Sequence, residues 1–227
     1  MRLKYIKITF IVISFTSLLS LWSCNNEASK AKEGIIHFEL TYLDGENSNA
    51  IITFLPNTMT YTFKDGKTIQ KVEGWGGVFK MIGLSDSKND SVVALMKILG
   101  DKFKYRCKLG EDSFGYDPLD GCEIEYVEGT KIIAGYKCKK AIAHYKDIDY
   151  ELYYTEELNI DKANWNTPFK NVKGVLMEYQ ISMFHINTKI VATKVEKIKI
   201  EDSEFDIPTG YTCVKKEKIE ETVYKFM

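Results

Sequence analysis

The stretch Phe103-Lys104-Tyr105-Arg106-Cys107-Lys108-Leu109 alternates apolar and charged residues without a break. Successive side chains of a strand point to opposite faces, so this alternation describes a ribbon with one buried face and one wet face. The same period recurs along the chain. Ile36, Phe38, Leu40 and Tyr42 oppose His37, Glu39 and Thr41; Met59, Tyr61 and Phe63 oppose Thr58, Thr60 and Thr62; and Cys122, Ile124 and Tyr126 share one face. Asp44-Gly45, Asp65-Gly66 and Asp120-Gly121 supply turn signals between such runs. Residues 135–145 and 149–155 predict a hairpin around Lys146-Asp147. Residues 174–184 and 188–200 predict another around Ile186-Asn187, with a bulge where the apolar residues change face between Val195 and Ile198. Residues 205–214 read as a final edge segment, because Pro208 cannot donate a ladder bond.

One stretch departs from this period. Ser91 to Gly100 places Val92, Leu95, Met96 and Leu99 on one helical face, with Ser91 as a candidate N-cap and Gly100 as a candidate stop. The expected fold is therefore mostly β: a curved antiparallel sheet, a half-barrel of about 8–11 strands, covered by one or two short helices. A content of 14 Tyr, 12 Phe and 3 Trp against 4 Pro suits strands. "GWGG" at 74–77 reads as a turn or bulge, since no helix follows it.

The amino terminus predicts an address. Arg2, Lys4 and Lys7 precede an uncharged run from Ile8 to Trp22, which is signal-peptide length and short for a membrane span. Leu21-Trp22-Ser23-Cys24 resembles the bacterial lipobox, which implies acylation of Cys24 after removal of residues 1–23. Two or three acyl chains anchor a protein stably where one does not. Residues 24–33 read as a lipidated flexible tether of roughly 30 Å reach, and 34–227 as one β-rich domain. Asn25 rather than Asp after the cysteine favours the outer membrane, and the absence of a dense acidic run favours its periplasmic face.

Losing the leader takes three of the 31 basic residues against 32 acidic ones, leaving a charge of −4. That balance argues against nucleic acid as a partner. No long Lys or Arg block suggests a second membrane contact.

The segments 130–145, 150–158, 172–181 and 192–211 carry Gly-Tyr-Lys-Cys, Tyr-Thr-Glu-Glu-Leu, Gly-x-Leu-x-Glu and Phe-x-Ile-Pro-x-Gly-Tyr in that order. This series resembles the bacterial envelope proteins grouped as domain of unknown function 4412 and their GLPGLI-type relatives. Lys173-Gly174-Val175-Leu176 stands where the latter carry Gly-Leu-Pro-Gly-Leu. The resemblance implies a sheet like the half-barrel of the Lol lipoprotein carriers, whose concave side can hold acyl chains. It implies no activity and no site residue.

No GxSxG, HExxH, P-loop or dinucleotide motif is present, so no catalytic residue and no cofactor is expected. Cys138 and His144 lie on one strand about 20 Å apart, too far for a nucleophile–base pair. His37, His144 and His185 fall on different strands without ligand spacing, so no metal site is expected. With Cys24 acylated, Cys107, Cys122, Cys138 and Cys213 could form two disulfides in an oxidising compartment, in any of three pairings, or remain buried thiols. Tyr61, Phe63, Tyr105, Tyr126, Tyr153 and Tyr179 are the candidate lining of a concave ligand face, which would either hold a lipid or other apolar ligand or simply be core. The sequence thus points to a non-enzymatic, lipid-anchored envelope protein that either holds an apolar ligand or supports envelope assembly. The alternative is a structural module that binds another envelope protein through a strand edge or loops.

Overall fold

A computed structural model describes residues 32–43, 55–111 and 115–226. The leader, Cys24, most of the tether and the Asp44-Gly45 turn lie outside these residues. The strands are β1 (Glu33–Tyr42), β2 (Thr58–Lys64), β3 (Lys67–Gly74), β4 (Phe79–Asp86), β5 (Ser91–Ile98), β6 (Asp101–Lys108), β7 (Glu123–Ile133), β8 (Tyr136–Tyr145), β9 (Ile148–Thr155), β10 (Val175–Met183), β11 (Ile186–Glu196) and β12 (Thr212–Cys213). A helix, α1 (Lys216–Phe226), follows. All twelve strands form one open curved sheet in the order β12-β6-β5-β4-β3-β2-β1-β11-β10-β9-β8-β7.

Two antiparallel meanders, β2 to β6 and β7 to β11, meet at β1, which pairs with β2 on one side and β11 on the other. Tight turns keep neighbours adjacent. Asp65 and Gly66 both take positive φ, as a type I′ turn requires. The β10–β11 turn falls on Phe184-His185, both at positive φ, two residues before the expected place. The bulge falls at Thr193 of β11, where the register against β1 shifts between His37 and Phe38, and the strand ends at Glu196.

The mostly β class and the curved sheet hold, with twelve strands among the described residues against the expected 8–11. The helix expected at 91–100 is instead β5. Register with β4 and β6 puts Val92, Ala94, Met96 and Ile98 on the concave face and Val93 and Leu95 on the convex face, and all six are buried. A strand buried on both sides loses its alternation and reads as a continuous apolar run, which a helical stripe fits by coincidence. The convex cover is the chain from 202 to 211, whose Phe205 and Tyr211 pack on Ile69, Leu84, Val93 and Leu95. Only Thr212–Cys213 of the expected final strand pairs, and it runs parallel to β6.

The concave face is covered by α1 and by the irregular segment 156–174. From α1, Ile219 and Val223 are buried against the sheet. The irregular segment is tied down by Asn164, whose side-chain amide donates to the carbonyls of Val172 (3.1 Å) and Gly174 (2.8 Å). Gly174 takes φ +74°, and a Cβ there would stand 2.3 Å from the Thr155 carbonyl oxygen, so only glycine lets the chain re-enter the sheet at this point.

Candidate functional site

Cross-strand pairing places five of the six candidate ligand-face residues on the concave side. Tyr61 pairs with Ile36 and Phe63 with Gly34; Tyr179 pairs with Ile190, Tyr105 with Ala94 and Tyr126 with Ala141. Tyr153 pairs with Glu178 and faces the other way, under the Lys131 ammonium at 5.3 Å from its ring centroid. Its neighbours Leu152 and Tyr154 are the buried ones.

Much of that concave face is filled by the protein itself. Phe63 and Tyr179 are buried, and Tyr179 meets Phe169 of the irregular cover edge-on at 6.3 Å. The Tyr61 hydroxyl donates to the Ala163 carbonyl at 3.1 Å. Burial holds the phenols of Tyr61 and Tyr179 well above the ordinary tyrosine range. Tyr126 sits exposed near the β7 edge; its hydroxyl donates to the Asn171 carbonyl and accepts from the Lys173 amide, both at 3.1 Å.

An unfilled volume of about 80 Å³ remains further along the face, between the sheet and α1. Met59, Val72, Phe79 and Ile190 form its floor, and Trp75, Phe184, Val223 and Phe226 close over it. Trp75 and Phe226 meet with ring centroids 5.3 Å apart. The lining is almost wholly apolar. The Tyr42 hydroxyl at its border is spent on the Pro56 carbonyl at 2.5 Å, and burial pushes that phenol up to about 12. The volume is roughly half that of an engineered 150 Å³ apolar cavity that binds benzene. It accommodates the end of a hydrocarbon chain, not a large ligand. Of the six residues expected from the sequence, none lines this cavity, because it lies at the end of β1 and β2 where Trp75 and α1 converge.

The four cysteines form no disulfide. The fold separates them. Cys213 pairs beside Lys104, three residues from Cys107, while Cys138 pairs with Lys131, nine residues beyond Cys122. At about 3.4 Å per strand residue, both separations exceed the roughly 7 Å Cα spacing that a disulfide tolerates. Burial pushes the Cys138 thiol up to about 11, which makes it unreactive.

Among the described residues, no group of three or more His, Cys, Asp or Glu side chains is arranged to hold a metal ion. His144 sits between two carboxylates, its Nδ1 at 2.7 Å from Asp149 and its Nε2 at 3.0 Å from Glu125. The Asp149 bond, then the Glu125 bond, raise its pKa. A raised folded value means that the stabilisation is complete below the ordinary value of about 6.5 and is lost as pH rises through the folded one. An NMR titration should find His144 above 6.5, with Asp149→Asn and Glu125→Gln each lowering it; an unchanged midpoint in both variants would remove the pair from the account.

Residues 117–223 match the family model described as N-glycanase peptide, N-terminal domain. That span contains all four segments carrying the resemblance to domain of unknown function 4412, but the matching model is a different one. No curated protein matches the chain. Two crystal structures of PNGF-II, in space groups C2 and P21, share 17% identity with it at a TM-score of 0.57. They align with 86% of this chain but only 33% and 34% of theirs, so this chain spans about a third of the PNGF-II length. At that identity the likeness is one of fold. MucB in complex with MucA(peri), at 12% identity and a TM-score of 0.33, aligns over 81% of this chain and 57% of its own, too loosely to bear on fold or function.

Proposed function

We propose that the chain is a non-catalytic envelope protein, anchored through acylated Cys24, that holds the end of a hydrocarbon chain or a similar small apolar group in the cavity beneath α1. The mostly apolar lining of that cavity, with the hydroxyls of Tyr42 and Thr188 already donated to backbone carbonyls, is the observation that carries this reading. Ligand sites of this kind are concave and mostly apolar. Support for a non-catalytic role comes from the absence of a catalytic motif in the sequence and from the inert Cys138 thiol.

Native mass spectrometry of protein purified from membranes should show a non-covalent adduct of lipid mass. Ile190→Phe, which fills the floor of the cavity, should abolish the adduct while the fold is kept. An adduct-free wild type, or an adduct that survives Ile190→Phe, would end the ligand reading. For the anchor, Cys24→Ser should move the protein to the soluble fraction in 1 M salt; retention on membranes in that salt would count against acylation.

A second reading rests on the same alignment. A fold that forms one part of a longer chain in PNGF-II is suited to work beside another domain or protein. An envelope protein recovered at one-to-one stoichiometry by cross-linking, with no lipid adduct in the native spectrum, would favour it over the first.

A further inference from the structure

Three lysines stand in register across three adjacent strands. Lys80 of β4 pairs directly with Lys97 of β5, and Lys97 with Lys102 of β6. All three lie on the convex face, and Lys104, Arg106 and Lys108 continue the row along β6 at every second residue. Like charges placed directly opposite one another destabilise a sheet, so this arrangement works against folding. Glu73 neutralises Lys80 at 3.1 Å, and the Lys97 ammonium donates to the Gly77 carbonyl at 2.6 Å. Among the described residues, no carboxylate lies within ion-pair distance of Lys102, Lys104, Arg106 or Lys108. Asp86 is on the same face, in line with Ser91 and Lys108 at the far end from Lys80, and is bonded within its own turn to Asn89, while Asp101 opens β6 on the opposite face.

The row begins at an apolar tip. Leu99 forms the β5–β6 turn between Lys97 and Lys102, is 60% exposed, and takes φ +54°. A left-handed position in a tight turn ordinarily goes to Gly, Asn or Asp, so leucine here is costly for both backbone and solvation. Val78, just before β4, and Leu43, just after β1, are also exposed at this end of the sheet. Apolar tips flanked by unpaired cations are the chemistry of contact with an anionic bilayer surface: cations meet headgroup phosphates while small apolar side chains enter the acyl boundary. An acidic protein or polysaccharide would use the cations but has no need of the exposed leucine.

We infer that this rim docks onto anionic phospholipid, with Leu99 inserted and Lys97, Lys102, Lys104 and Arg106 facing the headgroups. The cations escape a search for runs of Lys and Arg because the strand spaces them two apart. The cavity lies at the same end, since Trp75, Phe79 and Ile98 line it, but docking does not depend on the cavity holding a ligand.

The test uses whole protein purified from membranes and added to vesicles of phosphatidylcholine alone or with a third phosphatidylglycerol. Amide hydrogen exchange at residues 97–102 should slow at least fivefold on the anionic vesicles, and return to the phosphatidylcholine rate in 1 M salt, where the screening length is about 3 Å. Each cation contributes about fivefold to such binding, so the Lys102→Glu/Arg106→Glu variant should lose the docked population by about twenty-five-fold or more. Leu99→Asn, which suits the turn, should also weaken docking. Exchange in β1 reports that each variant is folded. Equal rates on the two vesicles would overturn the inference. So would equal slowing by dextran sulfate without vesicles that Leu99→Asn leaves intact, which would assign the row to an anionic polymer. The native-mass adduct is read separately, so failure of one result leaves the other standing.

Discussion

Replacing Phe169 by Ala is expected to destabilise the domain by about 3–5 kcal/mol in urea denaturation, the range for a fully buried phenylalanine. Phe169 is 0% exposed and packs against Tyr150 (6.1 Å between centroids) and Tyr179 (6.3 Å). It belongs to the irregular 156–174 segment, which has no ladder of its own to hold it on the sheet. Its amide donates to the Thr167 hydroxyl and its carbonyl accepts from the Val172 amide, so the turn that presents the ring also feeds Asn164 its partners. Losing the ring should therefore loosen the whole cover, including the Ala163 carbonyl that receives the Tyr61 hydroxyl. A second readout follows: the Tyr61 phenol, held high by burial, should titrate closer to the ordinary value near 10 in the variant. Phe169→Leu should cost much less, below about 2 kcal/mol. A loss under 1 kcal/mol in Phe169→Ala would mean that the cover rests on the sheet without stabilising it.

What the sequence disclosed depends on how many faces of each element are wet. β2 and β6 each keep one polar face, so their alternation was legible down to the turn at Asp65-Gly66. β5 is buried on both faces, and its period vanished with its wet side. α1 does carry an apolar stripe, Ile219, Val223 and Phe226, but it is short, densely charged, and helical chiefly because those three side chains close over the sheet. The 156–174 cover has no period at all; its conformation is fixed by the bonds of Asn164 to residues eight or more positions away. The ligand face was half legible for the same reason. Tyr61, Phe63 and Tyr179 follow from alternation, whereas Tyr150, Tyr153 and Tyr154 crowd one strand, and only the pairing with β8 and β10 shows that Tyr153 points away. The cavity was not legible, because Trp75, Phe184 and Phe226 converge on it from three separate parts of the chain.

The segment Gly174-Val175-Leu176-Met177-Glu178 ends on a residue whose role only tertiary structure reveals, and it sets up the other large effect. Glu178 is 7% exposed, with its carboxylate 2.5 Å from Lys131 of β7 and 2.9 Å from Lys189 of β11. Burial alone would raise its pKa; the bonds from Lys131 and Lys189 outweigh that and hold it below the ordinary glutamate range. The two lysines are themselves 48% and 39% exposed, so they can rehydrate if the glutamate is lost, whereas the glutamate cannot if they are. The double variant Lys131→Ala/Lys189→Ala should thus cost about 3–5 kcal/mol at pH 7, and Glu178→Gln less, about 1–3 kcal/mol. The pH dependence should also invert. In the wild type a depressed folded pKa gives stability that is present above about 4.3 and lost as pH falls through the folded value. Without the lysines, burial raises the folded pKa, so protonation relieves the unpaired charge and the deficit should shrink as pH falls from 7 toward 5. Urea titrations of the three proteins at pH 5 and 7 check both statements. A double variant less damaged than Glu178→Gln, or a deficit that does not change with pH, would show that water reaches this carboxylate and that its two partners only decorate the surface.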